Sequence, residues 1–464
     1  MVQYVSDTAA QAAHQPWWSP IEALDGNALR ALQTARLQAQ YAYLRERSPF
    51  YRRKFDAAGL GDGAIRSLED LQRVPFTAKQ ELRESLRAAP PFGEHLAAPL
   101  ADVIQMQASS GTTGSPSYVA LTRQDAVMWQ ESSARSLFAC GIRPGDRVLH
   151  GFSMSKGFVG GLPIFQALQY MGAVDVPIGA DGGVDRLLAA AFDLKPQAVV
   201  GTPNFLLHLA EAAQAHLGRD VREIGVRQLV VGGEPGGGIP GLRHRIQQAW
   251  GATLTELMGG TDLGVIYWAE CEHQSGMHMT APDFIVTELL DPVSDLVRPF
   301  SEGATGELVY TAIHRQASPV FRFRSGDHVV VTGTTCACGR HQPKIRCFGR
   351  TDDMLIVRGV NLFPSAVQDI VEAMRPMVSG QVRVIADFEG HSTQANLKLL
   401  VERAEHEPAG LSLATLKQDI EARVRSALSV KAEVLLAPHG SIEKPGAAKV
   451  KLVLRQMPSI EGLQ

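Results

Sequence analysis

An α/β protein is expected, with a large N-terminal α/β domain of parallel-rich sheets and a small C-terminal α+β domain. Three observations predict this. From Arg147 onward, short apolar runs alternate with helical stretches, each run ending in glycine, proline or serine, and such alternation builds largely parallel sheets. Ahead of it, residues 27–47 place apolar residues at helical spacing on a polar background. Near residue 350 the texture changes again, to a pattern short enough for a separate unit. A chain of 464 residues exceeds one ordinary domain. The division is drawn at 1–350 and 351–464.

Taken in order, "NALRALQTARLQAQYAYLRER" reads as an amphipathic helix, and "SPFYRRKFDAAGL" continues it after a proline break. The runs "DRVLHGFS", "GAVDVPIG", "QAVVGTP" and "RQLVVGGEP" read as strands of the α/β unit. The turns "GTPNF" and "GGEPGGG" follow such strands, and α/β sheets bind ligands beyond the C-terminal strand ends. After "GRTDDMLIVRG" come a helix from Pro364, strands "QVRVIADF" and "NLKLLVER", a helix over 411–430 and a strand "AEVLLAP". No repeat or low-complexity tract interrupts the chain.

Composition excludes several classes. Hydrophobic residues make up 45% and charged residues 20%, the profile of a soluble globular protein. A net charge of -3 gives no basic field for nucleic acid or an anionic membrane. The start "MVQYVSDTAAQAAHQPWW" lacks the order of a signal peptide, and no run of about 18 apolar residues predicts a spanning helix. Five cysteines do not make a disulfide scaffold, so a cytoplasmic setting is expected. Assembly stays open, with a homodimer as one option.

The segment "SSGTTGSP", Ser109 to Pro116, cannot build a core. Its glycines Gly111 and Gly114 allow positive φ and close approach, and its backbone N–H groups can face an anion. The hydroxyls of Ser109, Ser110, Thr112 and Thr113 add donors. It departs from G-x-x-x-x-G-K-[ST], because Ser115 stands where a lysine would. A phosphate loop and an ordinary flexible linker are both compatible with it.

Its companions are "GGEP" at 232–235, "MGGTD" at 258–262, "FRFRSGD" at 321–327 and "GRTDDMLIVRG" at 349–359. Together, in this order, they resemble the adenylate-forming enzymes: acyl-CoA synthetases, luciferases and adenylation domains. "SPFYRRKFDAAG", "SLEDLQRVPFTAKQELRE", "ASSGTTGSP" and "GRTDDMLIVRGVNLFPSAVQDIV" resemble the phenylacetate–CoA ligase branch. The resemblance runs from about Leu29 to Lys451. It implies that a carboxylate attacks the α-phosphate of ATP, that pyrophosphate leaves with Mg²⁺, and that a nucleophile then displaces AMP. Coenzyme A is the expected acceptor, and an amino acid amine is the alternative, on the strength of departures at Ser115, Met258 and Asp262. A nucleotide-binding protein that has lost catalysis is a third reading, opposed by Asp327, Arg350 and a C-terminal lysine.

The resemblance also implies residue roles. Residues 109–116 match the β,γ-phosphate cradle. Gly232, Gly233, Glu234 and Pro235 match the segment along the adenine. Thr261 matches the hydroxyl at the α-phosphate, and Asp262 stands where a glutamate holds Mg²⁺; aspartate is also a hard oxygen ligand. Asp327 matches the carboxylate that accepts both ribose hydroxyls, and Arg350 the second ribose contact. Asp352 matches the hinge on which the small, mobile C-terminal domain turns, with Arg358 and Gly359 on the loop that swings toward the acyl site. By position, "SKGFVGG" and "GTPNF" wall the pocket of an aromatic or cyclic acid, giving Phe158, Gly160 and Pro203. Lys156 either meets a polar group of the acid or faces solvent. In "GSIEKPGAAKVKLV", Lys444, Lys449 and Lys451 are available as the catalytic lysine; Lys449 is the choice.

One further cluster stands apart. "ECEHQSGMHM" holds Cys271, His273 and His278, and "TCACG" holds Cys336 and Cys338, with His341 after it. Thiolates and imidazoles are typical Zn²⁺ ligands, and the two segments flank a predicted strand pair. C-x-C alone is a weak signal, and four unrelated residues remain an alternative. Some members of the phenylacetate–CoA ligase branch carry such a site here, so a structural Zn²⁺ on Cys271, His278, Cys336 and Cys338 is expected, with His273 as substitute.

Overall fold

Asp25 opens the first helix by accepting the N–H groups of Asn27 and Ala28, both at 2.9 Å. A computed structural model describes residues 17–108, 117–155, 157–292, 294–407, 410–443 and 451–464, without the side chains of Asp352 and Asn361. Helix α1 spans Gly26–Arg47 and α2 spans Pro49–Ala57, with Ser48 as N-cap and Pro49 at the first turn, as the proline break predicts. Their apolar faces, including Leu37, Tyr41, Leu44, Tyr51 and Phe55, share one core with Val286, Ile313 and Phe321. Helix α3, Lys79–Ala88, follows.

Strands β1 (Val103–Ala108) and β2 (Tyr118–Thr122) pair antiparallel on either side of the 109–116 segment. Helix α4, Arg123–Ala139, is buried over most of its length. Then come β3 (Arg147–His150), α5 (Leu162–Tyr170), β4 (Val174–Val176), α6 (Val184–Leu194), β5 (Ala198–Gly201), α7 (Pro203–Leu217), β6 (Gln228–Val231), α8 (Pro240–Trp250) and β7 (Thr253–Gly260). Strands β4, β3, β5, β6 and β7 lie side by side in parallel. This is the alternating unit expected from the sequence, and the middle strands β5 and β6 are buried at every position, as suits strands covered on both faces.

The same sheet then continues antiparallel. Strands β8 (Gly264–Glu270), β9 (Met277–Met279), β10 (Ile285–Leu290), β11 (Val297–Arg298), β12 (Thr305–Ala312), β13 (Phe323–Gly333) and β14 (Lys344–Arg350) extend it in the order β7-β8-β9-β14-β13-β12-β10-β11. The parallel half was legible, and the antiparallel half adds to it. The reversal between β7 and β8 depends on Gly259, where a Cβ would lie 1.7 Å from the Val265 carbonyl oxygen.

Beyond β14 a separate core forms. Strands β15 (Leu355–Val357), β16 (Val360–Leu362), β17 (Val378–Ile385), β18 (Ser392–Thr393), β19 (Leu397–Arg403), β20 (Ala432–Ala437) and β21 (Val453–Leu454) surround helices α9 (Pro364–Glu372) and α10 (Leu413–Leu428). The strand order β20-β19-β17-β21 carries the core, whose apolar residues all fall between Leu355 and Val453. Arg358 and Gly359 form the two-residue turn between β15 and β16, with φ of 51° and 81°, the backbone a tight hairpin demands. Helix α9 docks on α8, where Arg245 meets Glu372 at 2.7 Å, and on β14, where Ser365 donates to the Phe348 carbonyl.

The fully buried Asp125 ties α4 to the opposite face. Its carboxylate accepts from Thr122 N at 3.0 Å, Gln316 N at 2.7 Å and Ala317 N at 2.9 Å. Asp125→Ala leaves three buried donors without an acceptor and is expected to lower stability by roughly 3–5 kcal/mol, with a smaller loss for Asp125→Asn, measured by denaturant unfolding.

Candidate active site

At the C-terminal end of β6 the chain enters "GGEP". Gly232 is buried, and its N–H donates to Gly201 O at 3.2 Å; Gly233 has φ of 85°. The Glu234 carboxylate accepts from Asn204 N at 3.2 Å and Asn204 Nδ2 at 2.9 Å, fixing the segment to the start of α7. Gly233 and Pro235 stay exposed. Gly238 N donates to Glu256 Oε1 at 2.9 Å, and a Cβ on Gly238 would lie 3.2 Å from Arg346 Cγ of β14. Residues 232–238 and the strand carrying Arg350 therefore meet.

The β7–β8 turn holds Thr261 and Asp262, both half-buried. Lys79 Nζ, from the first turn of α3, contacts Asp262 Oδ1 at 2.6 Å and Oδ2 at 2.7 Å. The next carbonyl, Leu263 O, accepts from Trp129 Nε1 at 3.1 Å and Arg315 Nη1 at 2.8 Å. Behind the turn lies the buried Tyr267 hydroxyl, 3.1 Å from where a Gly260 Cβ would be. Burial, with the carboxylates of Asp327 and Asp262 nearby, holds this phenol well above its usual range.

Asp327 and Arg350 face each other across β13 and β14. Arg350 Nη1 donates to Asp327 Oδ1, while Nη2 donates to Ser325 O at 2.9 Å. Ser325 Oγ accepts from Asp327 N at 3.0 Å. The two residues expected at the ribose thus form one hydrogen-bonded pair.

On the acid side, Phe158 is half-buried and meets Phe152 edge-on at 6.4 Å between ring centroids. Gly160 lies beneath it, with no room for a Cβ, which would come 2.4 Å from Phe158 Cε1. Pro203 is buried at the first turn of α7 and backs Gly236, whose Cβ would lie 2.8 Å away.

Cys271, His278, Cys336 and Cys338 converge, with their ligand atoms all within 4.8 Å of one another. Cys271 Sγ lies 3.7 Å from Cys336 Sγ, and Cys338 Sγ lies 3.6 Å from His278 Nε2. These match the ~3.7 Å edge of a tetrahedron with ~2.3 Å Zn–S bonds. His278 Nδ1 is 3.3 Å from Gln342 O, which turns Nε2 inward. A hydrogen bond from Cys271 holds the Cys338 sulfur below the usual thiol range, and the same bond pushes Cys271 up. His273 lies outside the group, next to Glu272, so the substitute ligand is set aside.

Ser109, Ser110, Gly111, Thr112, Thr113, Gly114, Lys156, Lys444 and Lys449 lie outside the described residues. Asp352 sits in the short turn Thr351–Asp353 directly after β14. Lys451 is exposed, two residues before β21. Sequence reasoning missed Lys79, Trp129, Arg315 and Tyr267. Lys79 belongs to "FTAKQELRE", a segment noted only for its likeness; the others reach the turn through the fold alone.

A glycine segment at a strand end, a hydroxyl–carboxylate turn and a paired Asp–Arg define a nucleotide-dependent ligase of the adenylate-forming class. Residues 58–313 match the AMP-binding enzyme family, and residues 359–456 match the AMP-binding enzyme C-terminal domain. The chain is 34% identical over 449 residues to a phenylacetate–coenzyme A ligase of Thermus thermophilus, covering 94% of this chain and 98% of that one. A solved 2-hydroxyisobutyryl-CoA ligase in its postadenylation state superposes with a TM-score of 0.87 at 31% identity, over 96% of this chain and 93% of that one. The same relative with coenzyme A in its thioesterification state gives 0.70 at 32% identity, over 95% and 93%. The chain belongs to the AMP-binding enzyme family, in its phenylacetate–CoA ligase-like branch. It is an AMP-forming acid–CoA ligase, working through an acyl-adenylate.

Glu256, which accepts from Gly238 N, carries a pH signature. Burial, with the neighbouring Glu270 carboxylate, pushes it up to about 7. Its folded-state pKa is raised, so the folded chain keeps a proton that the unfolded chain loses near pH 4.5, and stability falls as pH rises toward about 7. Glu256→Gln keeps the acceptor for Gly238 N. Denaturant titrations should show it close to wild type at pH 4 and more stable by roughly 2–4 kcal/mol at pH 8.

Proposed function

We propose that this ligase activates an aromatic or cyclic carboxylic acid, with the β7–β8 turn as its catalytic centre. The observation that carries this reading is the β7–β8 turn, where Lys79 grips Asp262 beside Thr261 and the Tyr267 hydroxyl lies against Gly260, together with the Asp327–Arg350 pair on β13 and β14. Phe158 against Phe152 offers an aromatic wall for the acid. Asp327 accepts the ribose hydroxyls and Arg350 orients it; Gly232 to Pro235 carry the adenine. Thr261 donates to the α-phosphate oxygens. Lys79 is a compact cation beside the place where charge builds as the carboxylate attacks. The loop 109–116 and Lys449 keep the roles their motifs imply, and Asp352 keeps that of the hinge between 1–350 and 351–464. Coenzyme A is favoured over an amine by the relatives, each named a CoA ligase.

Asp262 suits Mg²⁺, because one carboxylate suffices where phosphates supply most ligands. The ion would neutralise phosphate charge; Asp262 would hold it, with Lys79 released toward the phosphates. Three sulfurs and one imidazole, closed and mostly buried, fit a structural Zn²⁺ that pins the 271–278 segment to 336–338 without reacting. A cytoplasmic setting is part of this reading: all five cysteines are free of disulfides, and among the described residues no helix is long and apolar enough to cross a membrane.

An acid panel with ATP and CoA should yield AMP, pyrophosphate and an acyl-CoA, with aromatic acids preferred; ADP as product, or an adenylate that CoA does not consume, would sink the reading. In that assay Lys79→Met should lower kcat by roughly 10²–10³ at nearly unchanged folding. Elemental analysis should find about one zinc per chain, and Cys336→Ser should lower metal content and Tm more than turnover per folded molecule.

A further inference from the structure

We propose that His150 and Asp175 act as one buried unit that holds the acyl loop through the Gly160 carbonyl and so sets which acids the pocket ranks highest. The inference rests on the reading of Phe158 and Gly160 as acyl pocket. His150 ends β3 and Asp175 lies on the neighbouring β4. Their side chains are 0% and 1% exposed. His150 Nδ1 lies 3.2 Å from Asp175 Oδ1, and Nε2 lies 2.9 Å from Gly160 O.

Hydrogen counting makes the pair a unit. A carbonyl oxygen only accepts, so Nε2 must donate its hydrogen to Gly160. A carboxylate also only accepts, so the Nδ1···Oδ1 contact needs a second hydrogen, carried by the ring or by the acid. Two hydrogens shared by one imidazole and one carboxyl leave the pair neutral overall. That suits its burial, since a buried carboxylate without a partner charge is costly. Among the described residues Asp175 Oδ2 has no hydrogen-bond partner, so His150 is the group that compensates this carboxylate.

The loop between the two strands is held at both ends. At the front, Ser153 Oγ donates to Asp181 Oδ2 at 2.6 Å and Ser155 N donates to it at 3.1 Å. At the back, His150 takes Gly160. Because the Phe158 ring lies directly over Gly160, a shift of that peptide moves the ring. His150 is therefore a positioning residue for the acid, acting through Phe158.

The test uses the full-length enzyme and measures KM for ATP and kcat/KM across acids of graded ring size. The double variant His150→Phe/Asp175→Val removes both polar groups and leaves no orphan carboxylate. It should raise the acid KM about tenfold, as loss of one buried hold predicts, change the ranking of acids, and leave the ATP KM unchanged. Asp175→Asn should stay near wild type, because a neutral imidazole can accept from the amide at Nδ1 and still donate to Gly160. Asp175→Val alone should fall between them, and stands in if the double variant does not fold. Phe158→Ala is the control for the pocket. If it reorders the acids while the double variant does not, the hold is refuted. A uniform loss for all acids and ATP alike marks a merely structural role and refutes it too. If Phe158→Ala leaves the acids unchanged, the pocket reading itself falls and the inference with it.

Discussion

The Leu263 carbonyl is the point on which the site depends. It takes one hydrogen bond from Trp129 of α4 and another from the buried Arg315, while one residue earlier Asp262 is gripped by Lys79 of α3. Three distant stretches of chain thus meet at one turn. The turn itself exists because Gly259 lets β8 pass against β7. Fixing a reactive turn from several rigid elements is what a site dominated by electrostatics needs, because donors already in place need no rearrangement when charge develops.

That turn lies where the parallel half of the sheet becomes antiparallel. The parallel strands deliver residues 232–238 at the end of β6, and the antiparallel strands deliver Asp327 and Arg350 from β13 and β14. Glu256 and Arg346 at Gly237 and Gly238 join the two halves directly. On the proposed reading, a ligand spanning base, ribose and phosphate would lie across the change of strand direction, in the crevice where open α/β sheets bind ligands.

The parts of this architecture legible in the sequence were those with local signatures. The proline break after α1 is where Ser48 and Pro49 open α2. Strands β5 and β6 read as short apolar runs because both faces are covered. The Cys/His set was legible because its residue types are few and its two segments adjoin a strand pair. The antiparallel half was harder: β12 and β13 mix polar and apolar residues over long stretches. Lys79, Arg315 and Trp129 had no local signal, because their meaning lies in separations of 52 to 183 residues that only the fold closes. For the same reason His150 and Asp175 read as ordinary strand residues until β3 and β4 lie side by side.

Several carboxylates in and around the site carry a cation: Asp262 has Lys79, Asp327 has Arg350, Glu270 has Arg243 and Glu372 has Arg245. Carboxylates this buried would otherwise repel one another and an incoming triphosphate. Pairing lets them coexist. On the proposed reading, a phosphate that drew Lys79 toward itself would leave Asp262 as a hard oxygen ligand, so the cation and the ligand for a divalent ion would become available together. The Arg245–Glu372 pair applies the same logic to the small domain. It holds α9 on α8 in an arrangement that superposes better on the relative's postadenylation state than on its thioesterification state. Glu372 is buried and Arg245 only partly exposed, and the pair acts together with the Ser365–Phe348 hydrogen bond, so α9 is held in this arrangement by contacts on two neighbouring elements rather than by a surface ion pair.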